Sequence, residues 1–426
     1  MKKLSFFLFI FVGIVFAVYS QGTIKVLTYN LLNFNNYTSD CTQSNNNHVD
    51  KAAYLKTIVK NQNPDLLLFC ELGTNISATY TTNYILGNSL NVDGETKWRA
   101  GSPTGTYLIN GFFYDKNKFE LLSQPVISTS LRDINVYKLK YKLSSVDVYL
   151  NVIIAHLKAG SSESDIQQRR DMVQAIFDWL STQNANENFI IAGDFNVTSS
   201  SEPAFQLLIN PNNPSYAFYD PVNKLGQWNN NYGFRHYHTQ STHEDFNSDC
   251  HSGGGLDDRF DFVLINASVK DGTAGVKYKE DSYWAVGQDG MRFNMSINNP
   301  VNTTLPEEVI TALYHMSDHL PVVAEFYIGE QNSIISLSSN PDFYVNVDNP
   351  ACDNLNFVVK SSYPQKIHVN IYDISGKLVK SLNEIYSLSE QLHQINVHDL
   401  CPGIYILNFR GEKEHQTVRL VKTGCE

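Results

Sequence analysis

Four strand-like runs of this chain end in the same chemical way, and that repetition constrains the fold more than any other feature. Side chains alternate between the two faces of a strand, so Ile24, Val26, Thr28 and Asn30 share one face of the first run. By the same rule Leu67, Phe69 and Glu71 share a face, as do Ile190, Ala192, Asp194 and Asn196, and Val148, Leu150, Val152, Ile154 and His156. Each series runs apolar and then ends in a carboxylate, a carboxamide or an imidazole. One such ending is ordinary. Four together describe a core whose rim converges on a polar site, where hard oxygen ligands suit Mg²⁺ or Mn²⁺.

The surrounding pattern supplies the layers. Thr23–Asn30, Asp65–Glu71, Tyr107–Tyr114, Val136–Leu143, Val146–His156, Phe189–Asp194, Arg259–Ile265 and Leu320–Tyr327 read as strands. Tyr137, Leu139, Tyr141 and Leu143 alternate with Lys138, Lys140 and Lys142, which predicts one buried and one wet face. Ser144-Ser145 then turns the chain into the next strand as a hairpin. Ile166, Arg169, Val173, Ile176, Phe177 and Leu180 recur at helical spacing, and a second helix is expected over about Lys51 to Asn61, ended by Pro64. Sheets covered by helices, with functional groups at strand ends, follow from this mixture. Beyond a polar joint at Gly329-Glu330-Gln331-Asn332-Ser333 the pattern changes to short alternating strands with turn signals and no helix. The 426 residues therefore divide into a region 22–329 and a region 334–426.

Lys2 and Lys3, the apolar run Leu4 to Val18 and a cleavage site at Tyr19-Ser20 read as a cleaved signal peptide, residues 1–20. That run is shorter than the about 20 residues a spanning helix needs, and no later segment is long and apolar enough. A secreted or cell-surface protein without stable membrane insertion is the expectation. Lys+Arg 32 against Asp+Glu 43 gives a net charge of −11, which excludes a global basic field toward nucleic acid or acidic lipid. A nucleic-acid substrate would need local cations or a metal ion to offset its phosphates. Cys41, Cys70, Cys250, Cys352, Cys401 and Cys425 all lie in the exported part, and sequence does not choose among their pairings. No Cys-x-x-Cys occurs, which argues against structural zinc. Cys70, inside an apolar strand, reads as a buried small hydrophobe.

Six segments carry a family likeness: Thr28-Tyr29-Asn30, Pro64-Asp65-Leu66-Leu67-Leu68-Phe69-Cys70-Glu71, Ala155-His156-Leu157, Gly193-Asp194-Phe195-Asn196, Arg259-Phe260-Asp261-Phe262 and Ser317-Asp318-His319-Leu320-Pro321-Val322. In kind and order they resemble the endonuclease/exonuclease/phosphatase superfamily, which includes pancreatic-type deoxyribonuclease. The resemblance implies an α/β fold, a four-layer α/β/β/α sandwich, and a metal-dependent phosphodiesterase using Mg²⁺ or Mn²⁺, with Ca²⁺ as a further candidate. It makes Glu71 the main metal ligand, with Asn30 and Asp318 beside it. Asp194 and Asn196 would position and activate the attacking water, and His319, held by Asp261, would contact the scissile phosphate. His156 matches a position that protonates the leaving oxygen in some members. Leu32 stands where some members carry a second acidic ligand, which puts a two-metal arrangement in doubt. A nucleic acid, DNA or RNA, is the first substrate expectation; a lipid or small-molecule phosphoester is the alternative.

Each residue also has a plainer reading. Glu71 can cap a buried strand, Asn30 and Asn196 can shape turns, His156 can be a satisfied core histidine, and Asp261 can pair with Arg259. Arg235, in the loop Arg235-His236-Tyr237-His238, is a candidate phosphate contact or a solvated cation, and the two histidines are metal candidates or hydrogen-bonded residues. In the last region, Ile371-Tyr372-Asp373-Ile374-Ser375-Gly376-Lys377-Leu378-Val379, Leu400-Cys401-Pro402-Gly403-Ile404-Tyr405-Ile406-Leu407 and Val418-Arg419-Leu420-Val421-Lys422 alternate apolar and polar. They resemble the carboxy-terminal sorting domain of type IX secretion, a small all-β sandwich, which implies that secretion machinery as a partner.

Overall fold

The computed structural model describes residues 22–245, 250–329, 343–361, 363–387, 391–412 and 415–424; the expected signal peptide lies outside them. The chain separates into two compact units, Met1–Gln331 and Asn332–Glu426.

Eight principal strands of the first unit, β1 (Gly22–Phe34), β2 (Leu66–Leu72), β3 (Ile109–Asp115), β4 (Ile134–Tyr141), β5 (Val148–Ile154), β6 (Asn188–Asp194), β7 (Asp261–Asn266) and β8 (Val322–Ile328), fall where the sequence pattern puts them, with ends shifted by a few residues. They pair in the orders β8-β1-β2-β3 and β7-β6-β5-β4, and short strands complete each sheet to seven. At the centre of each sheet is one parallel pair, β1–β2 and β5–β6, flanked by antiparallel neighbours. A parallel pair needs a long crossover. Helices α1 (His48–Gln62) and α2 (Glu163–Leu180) provide the two crossovers.

Local sequence fixes both helices. The Asn47 side chain caps α1 by accepting from Val49 N, and Asn63 ends it in the left-handed region, one residue before Pro64. Ser162 and Asp165 form a reciprocal capping box on α2. A third helix, α3 (Glu307–Met316), delivers the chain to the segment Ser317–His319 just ahead of β8.

Residues 66–70 of β2 are all fully buried, because the strand is covered on both faces; such a strand reads as a continuous apolar run. Val26, Leu68, Leu139, Val152, Ile190 and Val263 fill the layer between the sheets. Leu55, Ile58 and Leu313 pack with Leu27 and Leu67 on the outer face of the first sheet, and Val173 and Ile176 with Ile153 and Ile191 on the outer face of the second. The architecture is the expected four-layer α/β/β/α sandwich. Lys138 and Lys140 take the wetter face of β4 and pair locally with Glu187 and Asp147.

The second unit is all β among its described residues. Phe343–Val347, Asn354–Ser361 and Gln391–Asn396 form one antiparallel sheet, and Leu378–Ser387, Gln365–Asp373, Gly403–Arg410 and His415–Lys422 form another. Both contribute to one core, with Val345, Phe357, Val369, Ile371, Leu407 and Phe409. The turn at Asp373–Gly376 is built as its residues predict: Asp373 Oδ1 accepts from Ser375 N and Lys377 N, and Gly376 takes a φ of 82°.

Cys41 and Cys250 form a disulfide and Cys352 is also disulfide-bonded, whereas Cys70 is a buried thiol and Cys401 an exposed one.

Candidate active site

The polar ends of β1, β2, β5 and β6 meet. Asn30 Nδ2 donates to Glu71 Oε1 and to Asp194 Oδ2, each at 3.0 Å. His156 Nε2 stands 3.7 Å from Glu71 Oε1 and 3.6 Å from Asp194 Oδ2. From the α3–β8 segment His319 places Nε2 3.9 Å from the same Asp194 oxygen. Its Nδ1 is 2.7 Å from Asp261 Oδ2, and Asp261 lies opposite Asp194 across the β7–β6 ladder. Thr239 Oγ1 donates to that Asp261 oxygen at 2.7 Å. Arg259, the alternative partner for Asp261, instead makes a buried ion pair with Asp220.

Glu71 arrives by a route that alternation does not describe. Leu67 and Phe69, its expected companions, pack outward under the helices, while Glu71 joins Asn30 and Asp194. The backbone at Glu71 is left-handed, φ 62°, and the ladder with β3 shifts register between Phe69 and Leu72. A bulge of this kind re-aims a side chain. The facing end of β1 is built to match: Leu32 and Asn33 are also left-handed, at φ 42° and 52°. Asn33 N donates to Glu71 Oε2 at 3.0 Å, and Leu32 N to Asn30 Oδ1 at 2.9 Å. Beneath them Lys51 Nζ donates to Leu31 O, Leu32 O and Asn46 Oδ1 at 2.8, 2.6 and 2.6 Å. Burial pushes this ammonium down to about 7, against the pull of Asp318 and Glu71.

The glycine of Gly193-Asp194-Phe195-Asn196 has a steric reason. At φ 138° its Cβ would lie 2.1 Å from Ala155 O, so only glycine lets β6 close on the end of β5. Asn196, at φ 51°, donates its backbone N–H to Asp194 Oδ1 at 3.0 Å and its carboxamide to Leu157 O at 3.3 Å. It therefore holds the Asp194 carboxylate through the main chain.

Charge crowding sets the protonation states. Burial pushes the Asp194 carboxyl up to about 7; His319 opposes this, and Asp261 and Glu71 add to it. For His319 burial favours the neutral ring, but Asp261, Asp194 and Asp318 outweigh it and hold the imidazolium well above its usual range. His156 goes the other way: burial, then Arg132 and His319, keep it well below. The site thus pairs a held imidazolium with a carboxyl poised near neutrality.

Glu71, His156 and Asp194 each offer a ligand atom within 4.8 Å of the others. Two carboxylates and a neutral imidazole are a donor set that a divalent cation accepts. Of the metal ligands expected from sequence, Glu71 is in this group. Asn30 turns its Oδ1 to Leu32 N and its amide N–H groups to the two carboxylates, so here it orients them as a donor. Asp318 lies outside the group, with Oδ2 accepting from Ser252 N at 2.9 Å and Gln240 Nε2 at 3.3 Å. Its Oδ1 is buried without a hydrogen-bond partner among the described residues, as a carboxylate oxygen that faces a cation would be.

Arg235 is not joined to this cluster by any hydrogen bond or ion pair among the described residues. It bonds Tyr232 O, and its guanidinium stacks 4.1 Å over the Tyr232 ring. His238 is the hydrogen-bonded histidine of the plainer reading, between Trp228 O and Leu256 O. The cation that does enter the cluster, Arg132, was not anticipated: its NH1 lies against the His156 ring nitrogens. It precedes β4 in a segment with no motif.

Two helix-covered sheets with acidic and imidazole groups gathered at one rim describe a class whose members hydrolyse phosphoesters. The chain belongs to the Endonuclease/Exonuclease/phosphatase family, whose model matches residues 27–319. The model of the secretion system C-terminal sorting domain matches residues 349–423, which indicates export to the cell surface or beyond. No curated protein matches the chain. Among solved structures, D. rerio TDP2 complexed with single strand DNA product is 13% identical, covering 71% of this chain and 98% of that one, with a TM-score of 0.46. A Bacteroides thetaiotaomicron endonuclease/exonuclease/phosphatase family protein is 13% identical, covering 73% and 99%, with a TM-score of 0.45. The human Nocturnin catalytic domain with bound sulfate anion is 12% identical, covering 72% and 97%, with a TM-score of 0.42. Likeness at this level says nothing of substrate.

Proposed function

We propose that this chain is an exported, divalent-metal-dependent phosphodiesterase that cleaves nucleic acid, DNA or RNA, by in-line attack of water. The observation that carries the reading is the His319–Asp261 pair standing 3.9 Å from Asp194, which puts an imidazole held by one carboxylate beside a second carboxylate that can take a proton from water. A divalent ion held by Glu71, with the His156 nitrogen and the free Asp318 oxygen as further donors, would supply positive charge against the phosphate.

The protein groups divide the remaining work. Asp194 takes a proton from water, oriented by Asn196 and Asn30, and the oxygen attacks phosphorus while the bond to the leaving oxygen breaks. General base help of this kind is worth about 10²–10⁴-fold. His319, kept charged by Asp261, balances the negative charge on the non-bridging oxygens. Burial and Arg132 keep His156 neutral, which suits a ligand or hydrogen-bond partner better than a proton donor; Arg132 stays charged at neutral pH and can meet the leaving oxygen or the phosphate.

The test is purified protein incubated with plasmid DNA, RNA and sphingomyelin, with Mg²⁺ and with a chelator. Chelator-sensitive cleavage of nucleic acid is expected, and Asp194→Asn and His319→Ala should each lose it by 10² or more while keeping the folded circular dichroism spectrum. Chelator-resistant cleavage, turnover of lipid alone, or near-normal rates in either variant would overturn the reading.

A further inference from the structure

Next to the catalytic cluster, on the side of Leu32 and Ser317, opens a cavity of about 250 Å³ whose wall is made by Asn45, Asn46, His243, His251, Tyr314 and His315. Hydrogen bonds join its floor to the reacting groups. Ser317 Oγ donates to Asn30 O at 2.7 Å, Leu32 N donates to Asn30 Oδ1, and Ser252, next to His251, donates its N–H to Asp318.

The wall is a ladder of rings. His251 stacks on His243 with centroids 3.8 Å apart, and His243 lies 4.0 Å from Tyr314. Tyr314 meets His315 edge-on at 5.1 Å, and His315 stacks on Tyr54 of α1 at 5.4 Å. His315 is exposed and His251, Tyr314 and Tyr54 are half-buried, so the ladder faces solvent along much of its length. Among the described residues no Lys, Arg, Asp or Glu lines the cavity.

That chemistry selects among ligands. A phosphate would need a cation, and an acyl chain would need a predominantly apolar wall. Stacked rings with carboxamides suit a flat, uncharged heterocycle with hydrogen-bonding edges. We propose that this cavity takes one unpaired nucleobase next to the scissile phosphate, so that the preferred substrate is single-stranded or locally unpaired nucleic acid. The proposal rests on the nuclease reading and narrows it. A base in a duplex reaches such a cavity only by leaving its stack, at a cost of a few kcal/mol.

The experiment compares kcat/KM of the full chain on a single-stranded oligonucleotide, the same sequence as duplex, the same strand with one abasic residue beside the cleaved bond, and methyl p-nitrophenyl phosphate, which carries no base. Stacking on an aromatic platform is worth about 1–3 kcal/mol per base, or roughly 5- to 150-fold. His315→Ala and His251→Ala should each reduce the preference for the oligonucleotide over methyl p-nitrophenyl phosphate within that range. The abasic strand should show the same loss with the parent protein and no further loss with the variants. Unchanged selectivity in both variants, or faster cleavage of duplex, overturns the base subsite while leaving the hydrolase reading intact. Failure to hydrolyse even methyl p-nitrophenyl phosphate overturns both.

Discussion

Replacing Arg259 by Met tests the energetics beneath the site, because this residue anchors the chain just before Asp261. Arg259 and Asp220 are 0% and 1% exposed, and their two hydrogen bonds, NH1 to Oδ2 and NH2 to Oδ1, are both 2.9 Å long. The guanidinium lies 4.4 Å from the Phe262 ring centre. Burial alone would push both groups toward neutrality, but the pairing wins, holding Asp220 below and Arg259 above its usual range. Removing one partner leaves an uncompensated buried charge, at a cost of about 3–5 kcal/mol. Arg259→Met should therefore destabilise by that amount. Asp220→Leu combined with it should restore part of the loss, with a coupling of about 0.5–3 kcal/mol. Urea unfolding followed by tryptophan fluorescence reads this cleanly, since Trp98, Trp179, Trp228 and Trp284 all lie in the first unit. The pH sign follows from the depressed Asp220 value. Its contribution is complete above the ordinary carboxylate pKa of about 4 and is lost as pH falls through the lower native value, so Asp220→Asn should flatten the acid limb. A loss under about 1 kcal/mol in Arg259→Met, where burial and geometry demand more, would refute the reasoning.

Lys51→Met should raise the Mg²⁺ concentration needed for half-maximal hydrolysis about 10- to 100-fold, the range for residues that orient metal ligands; a Mg²⁺ titration at saturating substrate checks it, and an unshifted midpoint refutes it. Cys41 and Cys250 are 209 positions apart, so replacing both by Ser should lower stability by up to about 4–5 kcal/mol, read as the tryptophan urea midpoint. A chain ending at residue 329 should remain active and accumulate inside the cell; export at the normal level would refute the sorting role of the second unit.

The layers were legible because burial on both faces leaves an imprint. The unbroken apolar run of β2 and the helices between β1 and β2 and between β5 and β6 together specify two parallel pairs in two covered sheets. The site was legible as chain order: Asn30, Glu71, His156, Asp194, Asp261 and His319 stand at strand ends or in the segment before β8, and the folded sheets bring them into one cluster. Arg132 and Lys51 were not, since one precedes a strand without a motif and the other reads as an ordinary helical lysine. Arg235 went the opposite way, because stacking on Tyr232 satisfies it locally.

Glu71 shows most sharply where pattern reading stops. Period two assigns it to the face that Leu67 and Phe69 turn toward the helices, and only a left-handed backbone returns it to the cluster. Leu32, Asn33 and Glu71 are three non-glycine residues in that region, each costing of order 1–3 kcal/mol. Nothing in a leucine or a glutamate announces such a conformation. It persists because the surroundings over-determine it: Lys51 and Asn46 hold the carbonyls of Leu31, Leu32 and Asn33, and Asn33 in turn holds Glu71. The geometry of the proposed ion site is therefore set one layer below its ligands, by an ammonium that touches none of them.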